Sequence, residues 1–123
     1  MSVVVDTTVL VDVLRRSTAA REFLKGLEAP PSCSEVTRVE IVRGLRSAER
    51  EPAERLLSEV RWHPVDEDVA RLAGELGRRF RGSHRHLGAA DLIVAATAQR
   101  LGLPLATSNV KRFPMFPRLK SPY

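Results

Sequence analysis

The sequence predicts an α/β fold, a mainly parallel, short-stranded sheet flanked by helices, and two observations carry that prediction. Short apolar or β-branched runs alternate along the chain with longer stretches whose apolar residues recur at helical spacing. The clearest run, Val3-Val4-Val5, is continuous rather than alternating, as expected of a strand covered on both faces in a parallel sheet.

Each element follows in order. Val3–Val5 is the first strand, and Thr7 or Thr8 is placed to cap a short helix through Leu14. Ala20, Phe23, Leu24 and Leu27 mark a second helix, closed by Pro30-Pro31, with a very short strand expected near Ser32-Cys33. Ser34 caps a helix carrying Val36, Val39 and Leu45, with Gly44 near its end. Ala53, Leu56, Leu57 and Val60 form the next helical stripe. Trp62 to Val65 reads as a strand that Pro64, lacking an N–H, confines to an edge. Asp66 caps a helix with Val69, Leu72, Ala73, Leu76 and Phe80 on one face. After a polar loop over 81–87, the apolar helix Ala89–Leu101 is stopped by Gly102 and Pro104. Leu103–Thr107 is the last strand, before a Pro-rich tail.

The chain has 123 residues, 43% hydrophobic and 28% charged, enough for one packed domain spanning residues 1–123 and too apolar for global disorder. No apolar run approaches the roughly 18 residues of a membrane span, and Asp6 sits where a signal peptide would need apolar residues. A soluble, cytoplasmic protein is the expectation. Cys33 is the single cysteine, which excludes an intrachain disulfide and a cysteine-based zinc site; it reads as a buried structural thiol. The net charge of +5 suits either a polyanionic partner or a solubilising surface. The arginine content leans toward phosphate, which a guanidinium grips in two-pronged fashion.

Ligands of open parallel sheets bind beyond the carboxyl ends of the strands. Asp6 stands where the first strand ends, and Asn109 just past the last. Asp91 is the one charge in Ala89–Ala98, and a carboxylate among apolar residues is costly unless paired or bound to a cation. Glu40 lies at the margin of its helix's apolar stripe, four residues after Val36. Each acid also has an ordinary role available: Asp6 as a helix cap, Asp91 as a first-turn acid favoured by the helix dipole, Glu40 as a surface partner of Arg43. Three acids at apolar element ends of a basic chain are more specific than any one. Converging carboxylates suit hard cations such as Mg²⁺ or Mn²⁺, which activate water and orient a phosphodiester.

At these residues the sequence resembles PIN-domain ribonucleases, specifically the VapC-type toxins of type II toxin–antitoxin systems. The matching stretches are Val3-Val-Val-Asp6-Thr-Thr-Val-Leu-Val-Asp12, Ser34-Glu-Val-Thr-Arg-Val-Glu40-Ile-Val-Arg-Gly44, Leu87-Gly-Ala-Ala-Asp91-Leu-Ile-Val-Ala-Ala-Thr-Ala98 and Leu105-Ala-Thr-Ser-Asn109-Val-Lys-Arg-Phe113. They occur in family order and cover nearly the whole chain. The resemblance implies a PIN-like three-layer sandwich with a five-stranded parallel sheet. It implies Mg²⁺- or Mn²⁺-dependent cleavage of RNA, with structured RNA such as tRNA a frequent target. It implies a homodimer, and a cognate VapB-type antitoxin that wraps the toxin and inserts a basic side chain into the acidic pocket. Asp6 and Asp91 correspond to the family's main metal-binding acids, and Glu40 to its second acid near the attacking water. Many members carry a fourth acid in the last motif, where this chain has Asn109 and Arg112. The site this implies is three acids plus the Asn109 amide, expected to hold one firmly bound Mg²⁺.

The remaining motifs carry less. His84 and His86 lack a nearby third ligand and read as a solvated loop, with His86 a candidate RNA contact; Asp12 reads as a surface acid. Arg15, Arg16, Arg43 and Arg46 are candidate phosphate contacts, while Phe23 and Leu24 serve either the core or an interface. Two further function classes compete with the nuclease. The missing fourth acid motivates a non-catalytic RNA-binding module of the same fold. A metal-dependent phosphatase is disfavoured, because Asp6-Thr7-Thr8 is not the Asp-x-Asp of an aspartyl-phosphate nucleophile and no Gly-rich phosphate loop is present.

Overall fold

The computed structural model describes residues 2–84 and 86–123. Four strands form one sheet: β1 (Val4–Val5), β2 (Ser32–Ser34), β3 (Arg61–His63) and β4 (Leu105–Ala106). Their spatial order is β3-β2-β1-β4, and every pairing is parallel. The expected fifth strand is absent among the described residues. Past β4 the backbone turns into a short 3-10 helix (Val110–Arg112) and a tail with Pro114, Pro117 and Pro122, which lack the N–H a ladder needs. Pro31 and Pro104 sit where only an acceptor is required, receiving Arg61 N–H and Val4 N–H, both at 2.9 Å. Pro64 follows the edge strand β3, as the sequence predicted.

Six α-helices cover the sheet: α1 (Thr7–Leu14), α2 (Thr18–Lys25), α3 (Glu35–Gly44), α4 (Arg50–Leu57), α5 (Glu67–Phe80) and α6 (Ala89–Leu101). Successive strand residues point to opposite faces. Val4 and Leu105 therefore join α5 and α6 in one cluster, with Val69, Leu76, Val94 and Phe113. Val5, Cys33 and Ala106 join the other, with Val9, Leu10, Ile41 and Leu57. This is the three-layer sandwich expected from the uninterrupted apolar strands. Each fully buried valine or leucine contributes about 1.5–3 kcal/mol relative to exposure.

Side-chain caps set four helix starts: Asp6 for α1, Ser17 for α2, Ser34 for α3 and Asp66 for α5. At α1 the cap is Asp6 itself rather than Thr7 or Thr8. Its carboxylate spans the orphan N–H groups of Thr8 and Val9, which the β-region backbone of Asp6 brings into range. The apolar stripe of α3 also differs from expectation. Val39 is 62% exposed, and the buried residues are Thr37 and Ile41. Thr37 is fully buried, and its hydroxyl lies 3.2 Å from that of Thr7.

Among the described residues, two backbone positions adopt left-handed geometry. Gly102 ends α6 at φ 65°, as a glycine without Cβ readily does. Arg16 does the same after α1 at φ 66°, a strain of about 1 kcal/mol for a residue with a side chain. No described helix is long and apolar enough to cross a membrane.

Candidate active site

Because all four strands run the same way, their carboxyl ends share one edge of the sheet. Asp6 follows β1, Thr107 to Asn109 follow β4, and Glu40 rises on the helix that leaves β2. Asp91 enters from the first turn of α6. Asp6, Glu40, Asp91 and Asn109 all line one open cleft of about 460 Å³, together with Thr7, Thr8, Asp12, Arg15, Ser108 and Arg112. The four residues singled out in the sequence, widely separated along the chain, are thus brought to one place. A second hollow of about 410 Å³ shares Val11, Arg15 and Glu40 and extends between α1 and α3 to Arg46.

Asp6 is the most constrained of the acids, at 4% exposure. Its Oδ1 accepts from Thr8 N–H at 3.0 Å, Thr8 Oγ1 at 2.5 Å and Val9 N–H at 3.4 Å. Its Oδ2 accepts from Thr107 Oγ1 at 2.7 Å, and Thr107 Oγ1 in turn accepts from Asn109 N–H at 3.0 Å. Burial raises the Asp6 pKa above the ordinary carboxylate value, outweighing the lowering by the Thr107, Thr8 and Val9 hydrogen bonds. A desolvated anion of this kind favours a nearby cation.

Glu40 is half-buried and accepts the Thr7 hydroxyl at 2.6 Å; that hydroxyl also lies 3.2 Å from Thr37 Oγ1. Asp91 pairs with Arg112, Nη1 to Oδ2 at 3.1 Å. Both ordinary roles weighed for the aspartates are therefore filled as well: Asp6 caps a helix and Asp91 is a first-turn acid. Neither role removes the carboxylate from the cleft.

The donor set is one of hard oxygens, three carboxylates and an amide, which fits Mg²⁺ or Mn²⁺. Among the described residues no three carboxylate, imidazole or thiol side chains approach closely enough to cage an ion by themselves. Mg²⁺ uses one or two carboxylates and keeps several waters, so it would not need a dedicated all-protein cage.

Several participants were not read from the sequence. Asp12 is no plain surface acid: it lines the cleft and accepts the Tyr123 phenol at 2.5 Å. Burial, then Asp12, raises the Tyr123 pKa, and the ring packs 6.1 Å from Phe23. The available signal was helical spacing, since Thr8, Asp12 and Arg15 fall at i, i+4 and i+7. Thr8 and Thr107 gave no signal of their own, because a hydroxyl's partner is set only by the fold. Cys33 behaves as expected. It is fully buried, and burial, aided by the Asp6 charge, pushes its thiol up to about 12. His84 meets Phe80 edge to face at 5.7 Å between ring centres and lies tilted 5.9 Å from His86, and neither histidine lines the cleft.

The fold and these positions can be set beside known proteins. The PIN domain family matches residues 3–118. This chain belongs to the PIN-domain family. It is similar to Ribonuclease VapC10 of Mycobacterium tuberculosis, with 43% identity over 98% of this chain and 92% of that protein. It is equally similar to Ribonuclease VapC19 of the same organism, 43% identical over 97% of this chain and 98% of the relative. Among solved structures, a toxin–antitoxin complex from Klebsiella pneumoniae superposes with a TM-score of 0.83 at 27% identity, covering 98% of both chains. Within the PIN family the chain is of the VapC type, as its motifs implied. The three-layer parallel sandwich is the PIN fold.

Proposed function

We propose that this PIN-domain protein is a Mg²⁺-dependent endoribonuclease toxin, with Mn²⁺ as an alternative ion, acting as one domain over residues 1–123. The observation that carries the reading is the convergence of Asp6, Glu40, Asp91 and Asn109 on one cleft walled by Arg15 and Arg112. The relatives' names as ribonucleases support the reaction class.

Asp6 and Asp91 would hold the ion, with Glu40 beside it and Asn109 offering a neutral oxygen. A bound Mg²⁺ supplies Lewis-acid activation of water and neutralises charge on the phosphodiester. The chain's own groups do the rest. Thr8 and Thr107 hold both oxygens of Asp6 in place, so little reorganisation is needed at the moment of reaction. Thr7 orients Glu40 with one oxygen donor, leaving the carboxylate able to take a proton from an attacking water. Arg15 and Arg46 line the same hollow as Glu40 and offer guanidinium contacts to flanking phosphates.

The substrate proposed is structured RNA such as tRNA, whose folded backbone presents clustered phosphates to this arginine rim. A groove of about 870 Å³ lined by Val13, Leu14, Leu56, Arg15, Arg16 and Arg21 supports docking of a VapB-type antitoxin segment. The exposed Val39 and Val42 on α3 support a homodimer. The proposed location is the cytoplasm, where such RNA resides. The Arg112–Asp91 pair favours one second reading, a non-catalytic RNA-binding module whose acid is neutralised internally.

Mapping RNA ends after induction separates the two. The toxin reading predicts new, discrete ends that Asp91→Asn and co-expressed antitoxin both abolish. RNA association without new ends or growth arrest would establish the binding module instead.

A further inference from the structure

Arg112 is a cation at the rim of the acidic cleft, and the fold gives it a definite partner. The 3-10 helix Val110–Arg112 brings its guanidinium to Asp91 Oδ2 at 3.1 Å. Asp91 keeps 20% of its side-chain surface exposed and Arg112 47%, so the pair lies at the cleft mouth and not in the core. Both residues line the same cleft as Asp6, Glu40 and Asn109. One of the acids proposed to hold the ion is therefore already engaged by a cation of the chain itself.

We propose that Arg112 is a built-in counter-ion that competes with the divalent cation for Asp91 and, when displaced, is available to a substrate phosphate. The inference rests on the metal-site reading above. A guanidinium in hydrogen-bond contact with Asp91 blocks one carboxylate oxygen and repels a second positive charge arriving beside it. Among the described residues Asp6 has no such cation on its oxygens, which accept from hydroxyl and N–H groups alone. The competition is thus local to Asp91. Arg112 is half-exposed on a flexible stem, so it can leave the carboxylate without disturbing packing. An anion at the rim would draw it away, and linkage then requires that anion and metal strengthen each other's binding. The arrangement keeps metal affinity low in the protein without substrate and raises it when a phosphodiester arrives.

The test is calorimetric titration of the full chain with Mn²⁺ alone, for the wild type, Arg112→Gln, Arg112→Lys, Asp91→Asn and the Arg112→Gln/Asp91→Asn double variant. Thermal unfolding without metal confirms that each is folded. The expected result is Mn²⁺ binding about twofold to fivefold tighter in Arg112→Gln, the upper part of the range for a half-exposed charge pair. Arg112→Lys, which keeps the charge, should stay nearer the wild type. In the Asp91→Asn background the Arg112→Gln gain should vanish. Equal or weaker binding by Arg112→Gln, with the wild type still binding, overturns the counter-ion role alone. A gain that persists in the Asp91→Asn background overturns the competition for Asp91. Absence of Mn²⁺ binding in every variant overturns the metal-site reading, and the proposal with it.

Discussion

Asp6 and Asp91 line the same cleft from different elements, yet the fold treats them differently. Asp6 ends β1, is nearly inaccessible, and has both oxygens occupied by hydrogen bonds from Thr8, Val9 and Thr107. Asp91 sits in the first turn of α6, partly exposed, with Arg112 against one oxygen. The first is fixed in place at an electrostatic cost, since burial disfavours its charged form. The second is charge-compensated and free to exchange partners. On the proposed metal-site reading, such a site would have one rigid acid that fixes where a cation sits and one adjustable acid that governs when it binds.

Substitutions test that contrast, and the largest effect belongs to the chemistry. Asp6→Asn and Asp91→Asn should each reduce RNA cleavage by about 100-fold or more, measured as initial rates at saturating Mg²⁺. If either retains wild-type rates, that acid is not part of the site. Next comes metal linkage: Mn²⁺ at about a hundred times its Kd should stabilise the wild type by roughly 2.7 kcal/mol in thermal unfolding. Asp6→Asn should lose that gain, and EDTA should reverse it.

Thr107→Val is a subtler test of the rigid acid. It removes the hydroxyl that Asp6 Oδ2 accepts and should cost about 1–2 kcal/mol in urea unfolding. The pH dependence separates the two acids further. The Asp6 pKa is raised in the folded state, so protonated Asp6 contributes stability below the unfolded value near 3.8, and this is lost as pH rises through the raised folded value. The stability difference between metal-free Asp6→Asn and wild type should therefore shift in favour of the variant as pH rises across that window, read from Tm across a pH series. Asp91→Asn should go the other way by about 0.5 kcal/mol, losing the Arg112 pair and a favourable charge at a helix N-terminus. The smallest effect is Asn109→Ala, for which a decrease of about threefold in cleavage rate is expected from loss of one neutral oxygen donor.

Much of this architecture is legible in residues that act through local rules. Val3–Val5 and Leu103–Thr107 announce buried parallel strands by unbroken apolar character, and Ser34, Asp66 and Gly102 mark helix ends through their own capping chemistry. Asp6 and Asn109 fall on one edge by topology, before any contact is known. What the sequence conceals depends on how elements meet. The inward turn of Thr37 depends on where α3 lands against the sheet, so helical periodicity assigned Val39 to the core instead. The threonines around Asp6 and the Arg112–Asp91 pair join residues far apart in the chain. Asp12 looked solvated because nothing local announces that Tyr123 returns to it.

The central claim is that Asp6 and Asp91 together hold the ion on which RNA cleavage depends. Its most direct test is cleavage of a folded RNA by the purified, partner-free protein, stripped with EDTA and then resupplied with Mg²⁺, beside Asp6→Asn and Asp91→Asn treated identically. The account predicts that wild-type cleavage disappears on stripping and returns with Mg²⁺, while neither variant recovers. Cleavage that survives EDTA, or full recovery by either variant, would contradict it.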